Sequence, residues 1–125
     1  MNLLLRRDQR SSVLGKMIFQ LDVRAEITAE ELASINRYRL GDTILYTKHE
    51  MADRGSGLLG LASRMTFHAM NISVSVADLA GGKRIECKNI LEMLAVEEQI
   101  KEAAVTFKQI LNACVHFGGE EVIEI

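Results

Sequence analysis

The sequence has no proline and no tryptophan, and aromatic residues make up only 5% of its 125 residues. Proteins that bind single-stranded nucleic acid stack the bases on aromatic side chains, so this composition argues against such a surface. The formal net charge of −2 provides no general electrostatic attraction for a polyanion either. We therefore expect no nucleic-acid partner.

Cysteine is scarce as well, since only Cys87 and Cys114 occur. Both fall on the apolar faces of predicted elements, and their spacing does not match a metal-binding motif. We expect two small buried side chains in a reducing compartment rather than a disulfide. The sequence therefore predicts no metal site, and it identifies no cofactor.

Long apolar runs are also missing. No run approaches the roughly 20 residues that a membrane-spanning helix needs. The first residues, Met1–Arg7, have too short an apolar run for a signal peptide, and the arginines follow that run instead of preceding it. We therefore expect a soluble cytoplasmic protein with no membrane partner. The length, together with 48% hydrophobic residues, favours a single domain over residues 1–125.

What the sequence does contain is one long amphipathic segment, Asn89–Phe117. Its apolar residues recur at alternating spacings of three and four, which places them on one stripe of an α-helix. The members of this stripe are Met93, Val96, Ile100, Ala103, Phe107, Ile110, Cys114 and Phe117. The charged residues between them, such as Glu97 and Lys101, are expected to face water. Asn89 is the predicted N-cap, and Gly118–Gly119 is the predicted stop.

Strands are predicted where apolar and polar residues alternate. These segments are 17–24, 43–49, 66–77, 83–88 and 120–125, and residues 1–11 form either an edge strand or a short helical turn. A capping box of Thr28 and Glu31 begins a helix that Gly41 ends. Residues Asp78–Gly82 are predicted to form a hairpin turn between two strands.

The order of these elements, β-α-β-loop-β-β-α-β, predicts an α+β fold. Strands connected by hairpins form antiparallel sheets, so we expect a largely antiparallel sheet packed against or around the one long C-terminal helix. A ferredoxin-like arrangement is the alternative.

The segment Glu50–Met65 breaks the alternation and is the longest irregular stretch. Within it, Gly55–Gly60 reads G-S-G-L-L-G and matches the G-x-G-x-x-G pattern of dinucleotide-binding loops. The strand that follows runs into a predicted hairpin and not into a parallel β-α-β repeat, as a dinucleotide fold requires. A glycine-rich loop that binds no dinucleotide is therefore the favoured interpretation.

Two histidines, His49 and His68, flank this segment, and Arg64 lies within it. Histidine titrates near neutral pH, arginine binds anionic groups, and glycine allows close approach to backbone donors. If a small molecule binds this protein, we expect His49, Gly55, Gly57, Arg64 and His68 to hold it. The ordinary alternative is that His68 is a hydrogen-bonded histidine at the edge of the core.

The functional prediction depends mainly on the long helix. No complete catalytic group is recognisable, and several residues beside the predicted stripe add apolar surface that one sheet does not cover. These residues are Leu94, Ala104, Val105, Leu111 and Val115. We therefore predict a non-enzymatic homodimeric module that binds a small molecule or a partner protein. The alternative is a small enzyme with a site of histidine, carboxylate and arginine around residues 49–68.

Overall fold

In the computed structural model of this protein, residues 1–11, 13–51, 69–120 and 122–125 are described, and for residues 49–51 and 69–71 only the backbone is described. The strands are β1 (Asn2–Ser11), β2 (Met17–Glu26), β3 (Ile44–Met51), β4 (Ala69–Ser75) and β5 (Lys83–Cys87). The helices are α1 (Ala29–Arg37), α2 (Val76–Gly81) and α3 (Ile90–Cys114).

The strands form two antiparallel sheets. One sheet has three strands in the order β1-β2-β5, and the other pairs β3 with β4. The long helix α3 contacts both sheets. This arrangement confirms the predicted α+β fold with antiparallel sheet packed on a long C-terminal helix. The ferredoxin-like alternative is wrong, because that fold needs one continuous sheet, whereas the described strands divide between two.

Two clusters of buried side chains follow α3 along its length. The cluster on the first half joins the helix to both sheets and includes Leu21, Val74, Ile85 and Ile100. The cluster on the second half joins the helix to α1 and α2 and consists of Ile35, Val76, Phe107 and Leu111. The helix is therefore the element that both parts of the core share, as its length and apolar spacing predicted.

The buried face of α3 differs from the predicted stripe in its second half. Ala104 and Leu111 are buried, whereas Ile110 is 41% exposed and Phe117 is 59% exposed. Ala103 is only half-buried. A strict alternation of three and four drifts by ~20° per heptad around a straight helix of 3.6 residues per turn. Phe107 and Cys114 therefore stay buried at their predicted positions, and only the positions between them move on by one residue, to Ala104 and Leu111.

The helix ends follow local signals, with two corrections. The side chain of Asn89 accepts the backbone N–H of Glu92 at 2.8 Å, as predicted, but α3 ends at Cys114, before the predicted stop. The Thr28–Glu31 capping box is also confirmed. The residue with positive φ after α1, however, is Arg39 at 55° and not Gly41. This conformation allows the backbone N–H of Leu40 to donate to the carbonyl of Ile35 in the last turn of α1, at 2.9 Å.

The hairpin turn predicted at Asp78–Gly82 is wrong. The carboxylate of Asp78 accepts the backbone N–H of Ser75 at 2.9 Å, and the Ser75 hydroxyl accepts the N–H of Asp78 at 3.1 Å. This capping box ends β4 and begins α2, because it satisfies donors that the first helical turn leaves free. The short helix separates the two strands, so β4 pairs with β3 and β5 pairs with β2.

The predicted strands at the two ends of the chain have different outcomes. Residues 2–11 form an edge strand, one of the two predicted possibilities. Residues 122–125 lie outside every helix and strand, and Val122 and Ile123 are 91% and 73% exposed. The predicted last strand is therefore wrong for these residues, since an alternating segment needs a neighbouring strand with which to pair.

Candidate functional site

The residues predicted to hold a small molecule fall mostly outside the described residues. Gly55, Gly57, Arg64 and His68 belong to residues 52–68, and His49 is described only by its backbone, which lies in β3 opposite Asn71. The predicted loop begins later than Glu50, because β3 continues through Met51. The binding hypothesis for this segment stays a prediction from the sequence.

Within residues 1–11, 13–51, 69–120 and 122–125, no three His, Cys, Asp or Glu residues are grouped so that they could hold a metal ion. No helix in this part of the chain is long and apolar enough to cross a membrane. Cys87 and Cys114 are buried and unpaired, as predicted. Burial raises the pKa of the Cys87 thiol, which disfavours its reactive thiolate.

An ion pair between Arg7 and Glu97 joins the edge strand to the long helix. Glu97 is only 2% exposed, so the expectation that it faces water is wrong. The Arg7 guanidinium donates from Nε to Oε1 and from Nη2 to Oε2, the latter at 2.8 Å. These hydrogen bonds hold the pKa of Glu97 below its usual range, against the effect of burial. A bidentate pair of this kind orients β1 against α3.

The alternation of residues in β1 contains a signal for one member of this pair, Arg7, which the search for apolar positions missed. Arg7 stands opposite Leu21 in the β1–β2 register, as Leu5 stands opposite Val23. Since side chains alternate across a strand, Arg7 shares the core-facing side of the sheet with these apolar residues. The alternation of β1 therefore points one arginine inward, although its partner is not evident from the alternation.

A second polar cluster surrounds Glu31 in the first turn of α1. Its carboxylate accepts hydrogen bonds from Lys108 Nζ at 2.8 Å, from the amine of Met1 at 2.7 Å and from the backbone N–H of Thr28 at 3.1 Å. Burial raises the pKa of Glu31, but these three donors outweigh that effect and lower the pKa from 4.5 to about 2. The cluster joins β1, α1 and α3 and has a structural role.

We expect Glu31 to make the stability of the protein sensitive to acid. Its pKa is lower in the folded state than the ordinary 4.5, so its contribution is complete above pH 4.5 and is lost as the pH falls toward about 2. Urea unfolding at a series of pH values measures this loss. Glu31→Gln should reduce the dependence on pH in that window, whereas Glu30→Gln, an exposed neighbour without these contacts, should leave it unchanged. If the stability of the Glu31→Gln variant depended on pH as strongly as that of the wild type, Glu31 would not be the cause of the acid sensitivity.

A third cluster lies where β3, β5 and the start of α3 meet. Lys48 forms an ion pair with Glu92 at 2.6 Å and donates to the backbone carbonyl of Glu86 at 3.1 Å. Tyr46 and Cys87 are buried nearby, and burial raises the pKa of the Tyr46 hydroxyl. Lysine, tyrosine, cysteine and glutamate are the residue types of many catalytic groups. Here, however, the lysine joins β3 to both β5 and α3, and burial disfavours ionisation of Tyr46 and Cys87.

An open apolar groove runs between β1 and α3. Its volume is about 500 Å³, and the lining residues are Met1, Asn2, Leu3, Lys101, Ala104, Val105, Lys108 and Gln109. β1 is the edge strand of its sheet, so part of its backbone hydrogen-bonding capacity points away from β2.

The solvent side of α3 beside this groove carries four exposed residues at spacings of four, three and four. We call them the outer stripe: Leu94, Glu98, Lys101 and Val105. Leu94 is 47% exposed and Val105 is 62% exposed. These spacings keep the four side chains on one line along the helix. The prediction of apolar surface beyond the buried stripe is confirmed for Leu94, Val105 and Val115, and it is wrong for Ala104 and Leu111, which are buried.

No protein-family model, curated protein or solved structure matches this chain. A functional conclusion therefore depends on the chain's own surfaces. Of the features above, the three polar clusters join secondary-structure elements, whereas the groove and the outer stripe face solvent.

Proposed function

We propose that the protein is a homodimeric binding module in which two copies of α3 pair in antiparallel orientation along their outer stripes. The supporting observation is the symmetry of the stripe. Leu94 and Val105 are equidistant from the midpoint between Gln99 and Ile100, and so are Glu98 and Lys101. In a two-fold symmetric interface, residue i of one copy contacts residue j of the other, and the reverse contact also forms.

Antiparallel pairing about this midpoint makes all four contacts complementary. Leu94 of each copy meets Val105 of the other, and Glu98 of each copy meets Lys101 of the other. Parallel pairing in register would instead bring glutamate against glutamate and lysine against lysine. The charges therefore select the orientation, which is the usual contribution of exposed ion pairs to an interface.

The affinity of such a dimer comes mainly from apolar burial. Fully burying a valine or leucine side chain contributes roughly 1.5–3 kcal/mol, whereas an exposed ion pair contributes about 0–1 kcal/mol. A second helix beside the outer stripe also covers the groove between β1 and α3, whose wall includes Leu3 and Ala104. Because each copy contributes only a few apolar residues, we expect a weak dimer with a dissociation constant in the micromolar range.

Sedimentation equilibrium with charge-reversal variants tests this proposal. The wild type should approach twice the chain mass of 13.9 kDa as the concentration rises through the micromolar range. Glu98→Lys places lysine against Lys101 of the second copy at two symmetric positions, so it should weaken the dimer about tenfold or more, equivalent to about 1.4 kcal/mol. Lys101→Glu should have a similar effect, and Val105→Glu should favour the monomer with the fold retained.

The double variant Glu98→Lys/Lys101→Glu provides the decisive comparison, because it exchanges the two charges and should restore dimerisation. Glu102→Lys is the matched control, since it makes the same change of charge at an exposed residue outside the outer stripe. A wild type that remains at 13.9 kDa throughout the micromolar range would contradict the dimer. A dimer that the double variant does not restore would contradict this pairing of the helices.

A further inference from the structure

A second groove, on the three-stranded sheet, carries a local excess of positive charge. It has a volume of about 690 Å³ and lies between β1, β2, β5 and the end of α2. Its charged lining residues are Arg6, Arg24, Lys83, Arg84 and Asp22. With Asp8, which pairs with Arg6 beside the groove, four cations accompany two carboxylates, although the whole chain has a formal net charge of −2. This imbalance makes the groove a candidate binding site for an anion.

The register of the sheet explains why the arginines converge. Asp22 on β2 stands directly between Arg6 on β1 and Arg84 on β5. The Nε atom of Arg84 donates to Oδ1 of Asp22 at 2.8 Å, and Nε of Arg6 lies 3.2 Å from the carboxylate of Asp8. Two of the three guanidinium groups are therefore oriented by carboxylates of the same sheet.

Arg24 differs from the other two arginines. It follows Asp22 on the same face of β2, opposite Leu4 on β1, and its side chain is exposed. Among the described residues it has no ion-pair partner within 4.0 Å. Its guanidinium is thus available to a ligand, with the apolar side chain of Leu4 beside it and two oriented arginines along the groove.

We propose that this groove binds a small organic phosphate. The planar fork of a guanidinium matches the oxygens of phosphate, and several such groups suit its double negative charge better than the single charge of a carboxylate. The volume lies within the ~300–1,000 Å³ that is typical of small-molecule sites. Leu4 offers an apolar wall for the organic part. Nucleic acid is less suited, because the groove has no aromatic side chain on which bases stack.

Titration with phenyl phosphate, a small phosphate ester with an apolar group, tests the site. The backbone amide resonances of Arg24 and Gly82 are followed by NMR at an ionic strength of about 0.15 M, where interactions between distant exposed charges are largely screened. We expect saturable shifts in the wild type. Arg24→Gln should weaken binding about tenfold, as expected for the loss of a charge-assisted hydrogen bond. Arg24→Lys, which keeps the charge but loses the fork, should have an intermediate effect.

Arg10→Gln is the matched control. Arg10 is an exposed arginine of the same sheet that lies outside the groove and pairs with Glu86, and its replacement changes the net charge by the same amount. If Arg10→Gln weakened phenyl phosphate binding as much as Arg24→Gln, the proposal would be overturned, because the ligand would then respond only to the net charge of the sheet. The absence of saturation in the wild type would also overturn it. Benzoate and inorganic phosphate complete the series: both should bind more weakly than phenyl phosphate, and benzoate of equal affinity would overturn the assignment to phosphate.

Discussion

Replacement of Phe107 by alanine is expected to lower the free energy of unfolding by about 3–5 kcal/mol, the usual cost of removing a buried phenylalanine ring. Phe107 is 1% exposed and packs in the cluster that contains Ile35 of α1 and Val76 of α2. Its ring therefore joins three helices, and they cannot all move to fill the space that it leaves. Equilibrium unfolding in urea, followed by circular dichroism, measures the change.

Ile110→Ala is the matched control for this experiment, because Ile110 lies on the same helix and is 41% exposed. We expect it to cost less than about 1 kcal/mol, as partly exposed positions usually do. Both residues belong to the stripe predicted from the alternation of three and four. If both variants lost the same stability, the burial described for the second half of α3 would be contradicted.

The second large effect is expected when Glu97 loses its partner. Arg7→Leu leaves the carboxylate of Glu97 buried without its two hydrogen bonds. An unsatisfied buried group of this kind costs about 1–3 kcal/mol, and more when it is charged. Glu97→Leu should be far better tolerated, because an apolar side chain then fills the buried position and Arg7, already 57% exposed, remains hydrated.

The double variant Arg7→Leu/Glu97→Leu tests whether the instability of Arg7→Leu comes from the unpaired charge of Glu97. It should recover most of the stability that Arg7→Leu loses, since no buried charge remains. The pH dependence provides a second measurement. In the wild type, Arg7 lowers the pKa of Glu97, so this pair stabilises the fold above the ordinary pKa of glutamate and loses that contribution as the pH falls. In Arg7→Leu, burial without a partner raises the pKa of Glu97, so the penalty should shrink on acidification. A double variant as unstable as Arg7→Leu would show that Arg7 acts through other contacts.

Local elements could be predicted from the sequence because their signals lie within a few residues of one another. Asn89 bonds the N–H of Glu92, and Thr28 and Glu31 bond each other, so both helix starts were correct. Alternation located β2 and β5 for the same reason. The hairpin at residues 78–82 was wrong because another local signal, the capping box of Ser75, competed with the glycines and prevailed.

The candidate surfaces were only partly predictable. The apolar residues Leu94 and Val105 follow from helical periodicity, whereas the symmetric placement of Glu98 and Lys101 between them was not predicted. The basic groove is different, because it draws on residues 4–6, 22–24 and 81–84, which are far apart in the chain. Only the β1-β2-β5 register places their arginines side by side.

By itself, then, the sequence determined α1, α3 and most of the strands, the α+β class and the central position of the long helix. Those properties follow from periodicity and capping, which act over a few residues. The tertiary structure alone decided how the strands divide between two sheets and which buried charges meet. Arg7 and Glu97 are 90 residues apart, and nothing near either residue specifies the other. Their contact exists because the β1–β2 register turns Arg7 toward the core and packing of α3 on that sheet places Glu97 in front of it.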